Sequence, residues 1–136
     1  MSSRGLRNNN PGNIRRSATR YRGEVVSQDP SFKRFESMAW GYRAMFVLLY
    51  TYQKRYGLST LAQLIARYAP AVENDTAGYT DFVAEQTAWP ADQPLDTCSA
   101  EQMIPVVSAM SHMENGLKAL PEEVAEGWRL FEQFKP

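Results

Sequence analysis

A chain of 136 residues, 43% hydrophobic and 12% aromatic, is long enough to bury one core and too apolar for a disordered protein. Its single cysteine, Cys98, excludes an internal disulfide framework, and one histidine beside one cysteine argues against a zinc site, so neither a metal nor a cofactor is expected. The formal charge is zero, yet residues 1–43 carry nine Lys/Arg against Glu24, Asp29 and Glu36, a net of +6, and residues 44–136 a net of −6.

A basic arm of this kind can meet nucleic acid, a membrane surface or an anionic polymer; alternatively the two halves fold together and neutralise each other. No apolar run reaches the roughly 18–20 residues of a membrane span. Asn, Pro and Gly follow the basic N-terminus where a signal peptide would be apolar, so synthesis in the cytoplasm without a leader is expected.

Residues 1–34 show no helical period. Asn8-Asn9-Asn10-Pro11-Gly12-Asn13 is dense in turn formers, and short extended pieces are expected at Asn13–Arg16 and Glu24–Ser27, with a turn near Arg22-Gly23. From Ser37 the pattern becomes helical. Met38, Tyr42, Met45, Phe46, Leu49 and Tyr52 share one face, and Gly57 can close that helix. Ser59 or Thr60 caps the next, through Leu61, Leu64, Ile65 and Tyr68, which Pro70 stops. After a loop over 69–75, Thr76 is the expected cap of a helix over Tyr79, Phe82, Val83 and Gln86, ending before Trp89-Pro90. Residues 90–98 are a polar connection.

Ser99 and Gln102 form a capping-box pattern for a helix with Met103, Ile104, Val107, Met110 and Met113 on its apolar face; Pro105 predicts a late start or a kink. Gly116 is placed to end that helix, and Pro121 to begin a last one with Val124, Trp128 and Phe131 inward. The fold class expected is therefore mainly α, about five helices behind an irregular, short-stranded region at 1–36, in one domain over 1–136.

Glu114 stands in the last turn of the fifth-helix pattern. A carboxylate there faces the negative end of the helix dipole, and burial would raise its pKa further, which is what a general acid for glycoside cleavage needs. The other reading is a solvated surface glutamate. Candidates for a second carboxylate are Glu24, Asp29, Glu36 and Glu73, with Glu24 the choice for the far side. Glu73, followed by Asn74, stands before the Tyr79 helix and could help build a cleft or simply complement that helix's dipole. Asn13, Asn74 and Asn115 offer amides suited to sugar hydroxyls and N-acetyl groups, though such residues also hold turns. Tyr79 could bond near a scissile sugar or be a core aromatic. Trp40 and Trp128 are expected in the core, and His112 on the surface.

Two stretches resemble lysozyme-superfamily cell-wall enzymes. Ala109-Met110-Ser111-His112-Met113-Glu114-Asn115-Gly116 is similar to the lytic transglycosylase motif, an apolar helix ending in Glu-Ser-Gly whose Glu is the catalytic acid; here Asn115 replaces the Ser. Thr76-Ala77-Gly78-Tyr79-Thr80-Asp81-Phe82-Val83 resembles the Thr-x-x-Tyr-Val-x-x-Val helix whose Tyr lines the active site of those enzymes. A broader resemblance, over nearly the whole chain, is to small phage and prophage proteins labelled virion or structural proteins. It is carried by Arg4 to Arg15, by Phe32-x-x-Phe35 with Gly41-Tyr42-Arg43-Ala44, and by Ala69-Pro70-x-x-Glu73-Asn74-Asp75-Thr76. The Asn-rich opening before Asn13-Ile14-Arg15 also looks like the Asn-Leu-Phe-Gly-Ile-Lys segment of bacterial glucosaminidases, which there follows the catalytic helix.

In lytic transglycosylases the Glu helix precedes the Tyr helix; here the Asn-Ile-Arg segment comes first and Glu114 last. The resemblance thus implies a circularly permuted lysozyme-like domain, acting on the MurNAc–GlcNAc strand of peptidoglycan as a lytic transglycosylase or muramidase, in the periplasm or from a phage particle; a monomer is expected. The rival expectations are a non-catalytic virion or interaction protein of the same fold, and nucleic-acid binding by the basic arm. The absence of a helix-turn-helix or stacking-sheet pattern counts against the last. Residues 8–36 are left as the candidate for the wall opposite Glu114.

Overall fold

Ser37 and Gly57 delimit the longest helix of the computed structural model, which describes residues 3–136. The elements in chain order are α1 (Arg4–Arg7), β1 (Glu24–Val25), β2 (Arg34–Phe35), α2 (Met38–Tyr56), α3 (Leu61–Tyr68), α4 (Thr76–Thr87), α5 (Ala100–Asn115) and α6 (Pro121–Gln133). The architecture is mainly helical with one small antiparallel sheet, as expected. Among the described residues no helix is long and apolar enough to cross a membrane.

The α2 helix runs through the middle of the protein. Its apolar stripe supplies Tyr42, Met45, Phe46 and Leu49 to the core, and Ala44 and Val47 on its flanks are buried too. The α6 helix packs along it. Gly127 permits the approach: a Cβ there would lie 2.6 Å from the Tyr42 Cβ and 3.0 Å from the Ala39 carbonyl. Trp128 and Phe131 then close on Phe46, Trp128 edge-on at 4.9 Å between ring centroids. Burying each such aromatic contributes about 1.5–3 kcal/mol, plus about 0.5–1.5 for a well-oriented ring pair. On the other side α3 and α4 bring Leu61, Leu64, Ile65 and Val83 to the same apolar cluster, which α5 completes with Met103, Val107 and Met110.

The N-terminal region is irregular but heavily bonded. The buried Asn10 amide donates to the carbonyls of Ile14 (3.0 Å) and Lys33 (2.9 Å), and its oxygen accepts from the Ile14 N–H (2.9 Å). Asp29 accepts from Arg4, Asn8 and the backbone N–H groups of Ser31 and Phe32. The Arg4 guanidinium holds the Asp29 carboxyl far below the ordinary carboxylate range. The sheet pairs Glu24 with Phe35 and Val25 with Arg34, and a bridge joins Arg15 to Phe32.

Several boundaries differ from the sequence expectation. A sixth helix, α1, lies in the region read as non-helical; Ser3 caps it, accepting from the Leu6 N–H at 3.2 Å. The cap of α4 is Asp75, whose carboxylate takes the Gly78 N–H at 3.0 Å, so Thr76 is already the first helical residue. Ser99 caps α5, but the Gln102 side chain turns to the Asp96 N–H (2.7 Å), so the capping box is only half made. That helix starts at Ala100 despite Pro105, which is exposed, as is Glu101, whose carbonyl has no proline N–H to bind and can turn to water. Met113 is 40% exposed and lies off the apolar face. Trp128 is buried as expected, whereas Trp40 is half-buried against Phe134. The strand expected over 24–27 stops at Val25, and Val26 faces solvent.

Candidate functional site

The end of α5 defines the site. Gly116, at φ +68°, takes the left-handed conformation that stops the helix, and its N–H returns to the His112 carbonyl at 2.8 Å. Glu114 is thereby held in the last turn, and the packing of α4 on α5 brings Tyr79 against it. The Tyr79 hydroxyl donates to Glu114 Oε2 at 3.0 Å and lies 3.5 Å from the Met110 carbonyl. From the N-terminal region the Asn13 amide donates to Glu114 Oε1 at 2.9 Å. One carboxylate thus receives donors from residues 35 and 101 positions away.

Burial pushes the Glu114 carboxyl above its ordinary range, while the hydrogen bonds from Asn13 and Tyr79 and the positive charge of Arg15 pull it back; burial prevails. The Tyr79 hydroxyl, buried and facing this carboxylate, is driven far above the usual phenol range and stays a donor at any accessible pH. Asn13 sits at φ +49°, a conformation asparagine tolerates better than most residues. Its amide oxygen is buried without a partner, so Glu114 is what orients the donor end.

Glu114 opens onto a cleft of about 1130 Å³. Asn13, Arg15 and Tyr21 from the N-terminal region line it, α2 contributes Arg43, Tyr52 and Arg55, α3 contributes Arg67 and Tyr68, and Glu73 with Asn74 stand in the 69–75 loop. Of the residues singled out in the sequence, Asn13, Glu73, Asn74 and Glu114 line this one cleft. Glu73 is exposed and ion-paired with Arg15 (3.3 Å), and the Asn74 amide donates to the Pro70 carbonyl at 3.1 Å.

Three of the expected site residues sit elsewhere. Tyr79 is 4% exposed and stands behind Glu114, positioning the carboxylate, and is not among the cleft-lining residues. Asn115 does not line the cleft either: its amide donates to the carbonyls of Pro11 (2.8 Å) and Ser111 (2.9 Å), and its oxygen accepts from the Ser3 hydroxyl (2.6 Å). Glu24 is not on the far wall. Both its oxygens take the buried Lys33 ammonium, at 3.1 and 3.0 Å, because Lys33, 2% exposed, needs a counter-charge. None of the three tryptophans lines the cleft, and His112 packs edge-on to Phe82 at 5.2 Å.

Tyr68 ends α3, where its helical spacing assigns it no role beyond the helix. Its hydroxyl donates to the Gly12 carbonyl and its ring lines the cleft, so it fastens the far wall to the helical body. Its helical spacing carried no sign of this. Of the cleft arginines, the basic excess in residues 1–43 covers Arg15 and Arg43 but not Arg55 and Arg67.

No family model matches the chain. Protein P5 of Pseudoalteromonas phage PM2 is similar to it, 43% identical over 119 residues, which are 85% of this chain and 72% of that protein.

Proposed function

The chain belongs to the family of this phage Protein P5, and from that footing we propose that it cleaves the MurNAc–GlcNAc strand of peptidoglycan as a lytic transglycosylase, with Glu114 as general acid and base. The observation that carries the reading is the Glu114 carboxyl: raised by burial, open to a cleft, and met by two side-chain donors. Protonated, it gives its proton to the bridging oxygen as the glycosidic bond breaks. The carboxylate it becomes is the form that Asn13 and Tyr79 stabilise. That carboxylate then takes the proton of the muramoyl 6-hydroxyl as this oxygen closes on the anomeric carbon, giving an anhydro ring and restoring the acid.

Hydrolysis would call on a second carboxylate as base or nucleophile. Glu24 is spent on Lys33, and the remaining cleft carboxylate, Glu73, is exposed and paired with Arg15. A reaction needing one carboxyl fits this inventory better. The resemblance of the Glu114 and Tyr79 segments to lysozyme-superfamily motifs, in permuted order, supports the same reading.

A second reading is a non-catalytic virion or interaction protein, favoured by the phage relative. Incubation with purified sacculi and mass analysis of the released material separates them. The enzyme reading expects anhydro-muramoyl products from the wild type and none from Glu114→Gln. Fragments released at the wild-type rate by Glu114→Gln would remove Glu114 from the chemistry, and no fragments from either protein would favour the non-catalytic reading.

A further inference from the structure

Six arginines line the cleft of Glu114: Arg15, Arg20, Arg22, Arg43, Arg55 and Arg67. Against them stand two side-chain carboxylates, Glu73 and Glu114. The molecule as a whole has no net formal charge, so this concentration is a segregation of charge toward one surface. Among the described residues, Arg15 alone of the six forms an ion pair, with Glu73.

Among the described residues the remaining five arginines form no ion pair. Arg43 is 5% exposed; it donates to the Phe134 carbonyl, its Nε is buried without a partner, and Arg22, of the same sign, is close enough to act on it. A buried cation with no opposite charge is unfavourable, and an anion entering the cleft offsets that. Arg22 lies over the Phe134 ring at 4.5 Å. Arg67 lies over Tyr56 at 3.8 Å and Tyr52 at 5.3 Å from the ring centroids. A guanidinium stacked by its face keeps its N–H edge available, and that edge matches a carboxylate in a two-point contact. Low-dielectric cleft walls with charges of one sign also draw oppositely charged ligands in.

We propose that this cleft recognises a carboxylate-bearing glycan, such as a strand with its acidic side groups or peptide stems, through the arginine wall, and discriminates against a neutral glycan of the same backbone. The inference rests on the cleft being the glycan site of the proposed function. A glycan is favoured over a nucleic acid because Glu114, the acid of the proposed glycoside cleavage, stands in the same cleft.

The test uses binding without turnover. Glu114→Gln protein is sedimented with native sacculi, with sacculi whose carboxyls have been amidated, and with chitin. Native sacculi bind; the amidated and neutral polymers bind at least about tenfold more weakly. Arg55→Ala/Arg67→Ala, at two exposed positions, weakens binding to native sacculi by a similar factor, and added salt does the same to the unaltered arginine wall. Equal binding to chitin and to native sacculi overturns the proposal, as does tighter binding to duplex DNA than to sacculi at one ionic strength. Wild-type fragment release is read separately. Fragments released equally from native and amidated sacculi end this inference and leave the cleavage reading standing. Arginine-dependent binding without any fragments ends the cleavage reading and leaves this one.

Discussion

Tyr79→Phe removes one hydroxyl from behind Glu114 and leaves the ring in the core. That hydroxyl donates to Glu114 Oε2 at 3.0 Å, and at 4% exposure of the residue little water can replace it. While Glu114 is ionised the bond is charge-assisted, contributing roughly 1.5–3 kcal/mol; once Glu114 is protonated a neutral bond contributes roughly 0.5–1.5 kcal/mol. The cost of the substitution therefore depends on pH. In the wild type the folded-state pKa of Glu114 is raised by burial, so its contribution to stability is fully present below the unfolded value of 4.5 and is lost as pH rises through the folded value. Losing a donor to the charged form raises the folded value further, which enlarges that loss and extends it to higher pH. Urea unfolding followed by tryptophan fluorescence at pH 4 and pH 8 reads the difference. Tyr79→Phe is expected to cost about 1.5–3 kcal/mol at pH 8 and about 0.5–1.5 kcal/mol at pH 4. In a Glu114→Gln background the two costs converge, which a double-mutant cycle makes quantitative. Equal costs at both pH values with Glu114 present, or a pH dependence that survives in Glu114→Gln, would refute the assignment of the Tyr79 hydroxyl to that carboxylate.

Gly12→Ala would place a Cβ 2.2 Å from the Tyr68 hydroxyl and 2.8 Å from Met45 Cγ. Displacing Tyr68 from the Gly12 carbonyl is expected to cost about 2–4 kcal/mol in a urea titration, and an unchanged midpoint would show that the far wall is not fastened there. Lys33→Met leaves Glu24 without its cation in a site where both are nearly enclosed, with side-chain exposures of 2% and 12%, and should cost about 3–5 kcal/mol. Adding Glu24→Gln should recover part of that loss in a thermal melt; no recovery would mean that Lys33 acts mainly through the Ser17 and Thr19 carbonyls it also binds.

What could be read from the sequence was what is local. The ends of α2 are written in Ser37 and Gly57, and the start of α3 in Ser59-Thr60, of which the structure uses Thr60, with Gln63 completing a capping box. The burial of Val124, Trp128 and Phe131 follows from their spacing on one helix. The α1 helix was not legible, because four residues carry no period. What seats it is distant: a Cβ on its Gly5 would lie 2.7 Å from the Asn10 carbonyl and from the side-chain oxygens of Asn13 and Asn115. Glu24 was misplaced for a similar reason. Nothing near it in the chain announces that Lys33, nine positions on, is buried and will take it. At the site, the helix-end position of Glu114 was visible, and so was Tyr79 as its companion through a motif. That Tyr79 would stand behind the carboxyl and not in the cleft depends on how α4 and α5 pack. The arginine wall depends on α2 and α3 facing residues 12–22, and the charge imbalance of the chain leaves out Arg55 and Arg67.

The departure of Asn115 from the Glu-Ser-Gly pattern has a physical role in this arrangement. Residues 12–22 form the wall opposite the helices, and they hold position only if the turn before them is fixed. Three bonds fix it: Asn115 to the Pro11 carbonyl, Tyr68 to the Gly12 carbonyl, and Asn13 to Glu114 itself. A serine at 115 has one donor, and in the last turn of a helix that donor tends to turn back to the carbonyl four residues earlier. The asparagine amide has two, so it can satisfy the Ser111 carbonyl and still reach Pro11, while its oxygen takes the Ser3 hydroxyl from the cap of α1. The residue after the carboxylate therefore ties down the loop that carries the carboxylate's own donor. Asn13 is anchored on both sides of its left-handed turn, and the proton affinity of Glu114 is set jointly by burial in the helical body and by a segment 101 residues away.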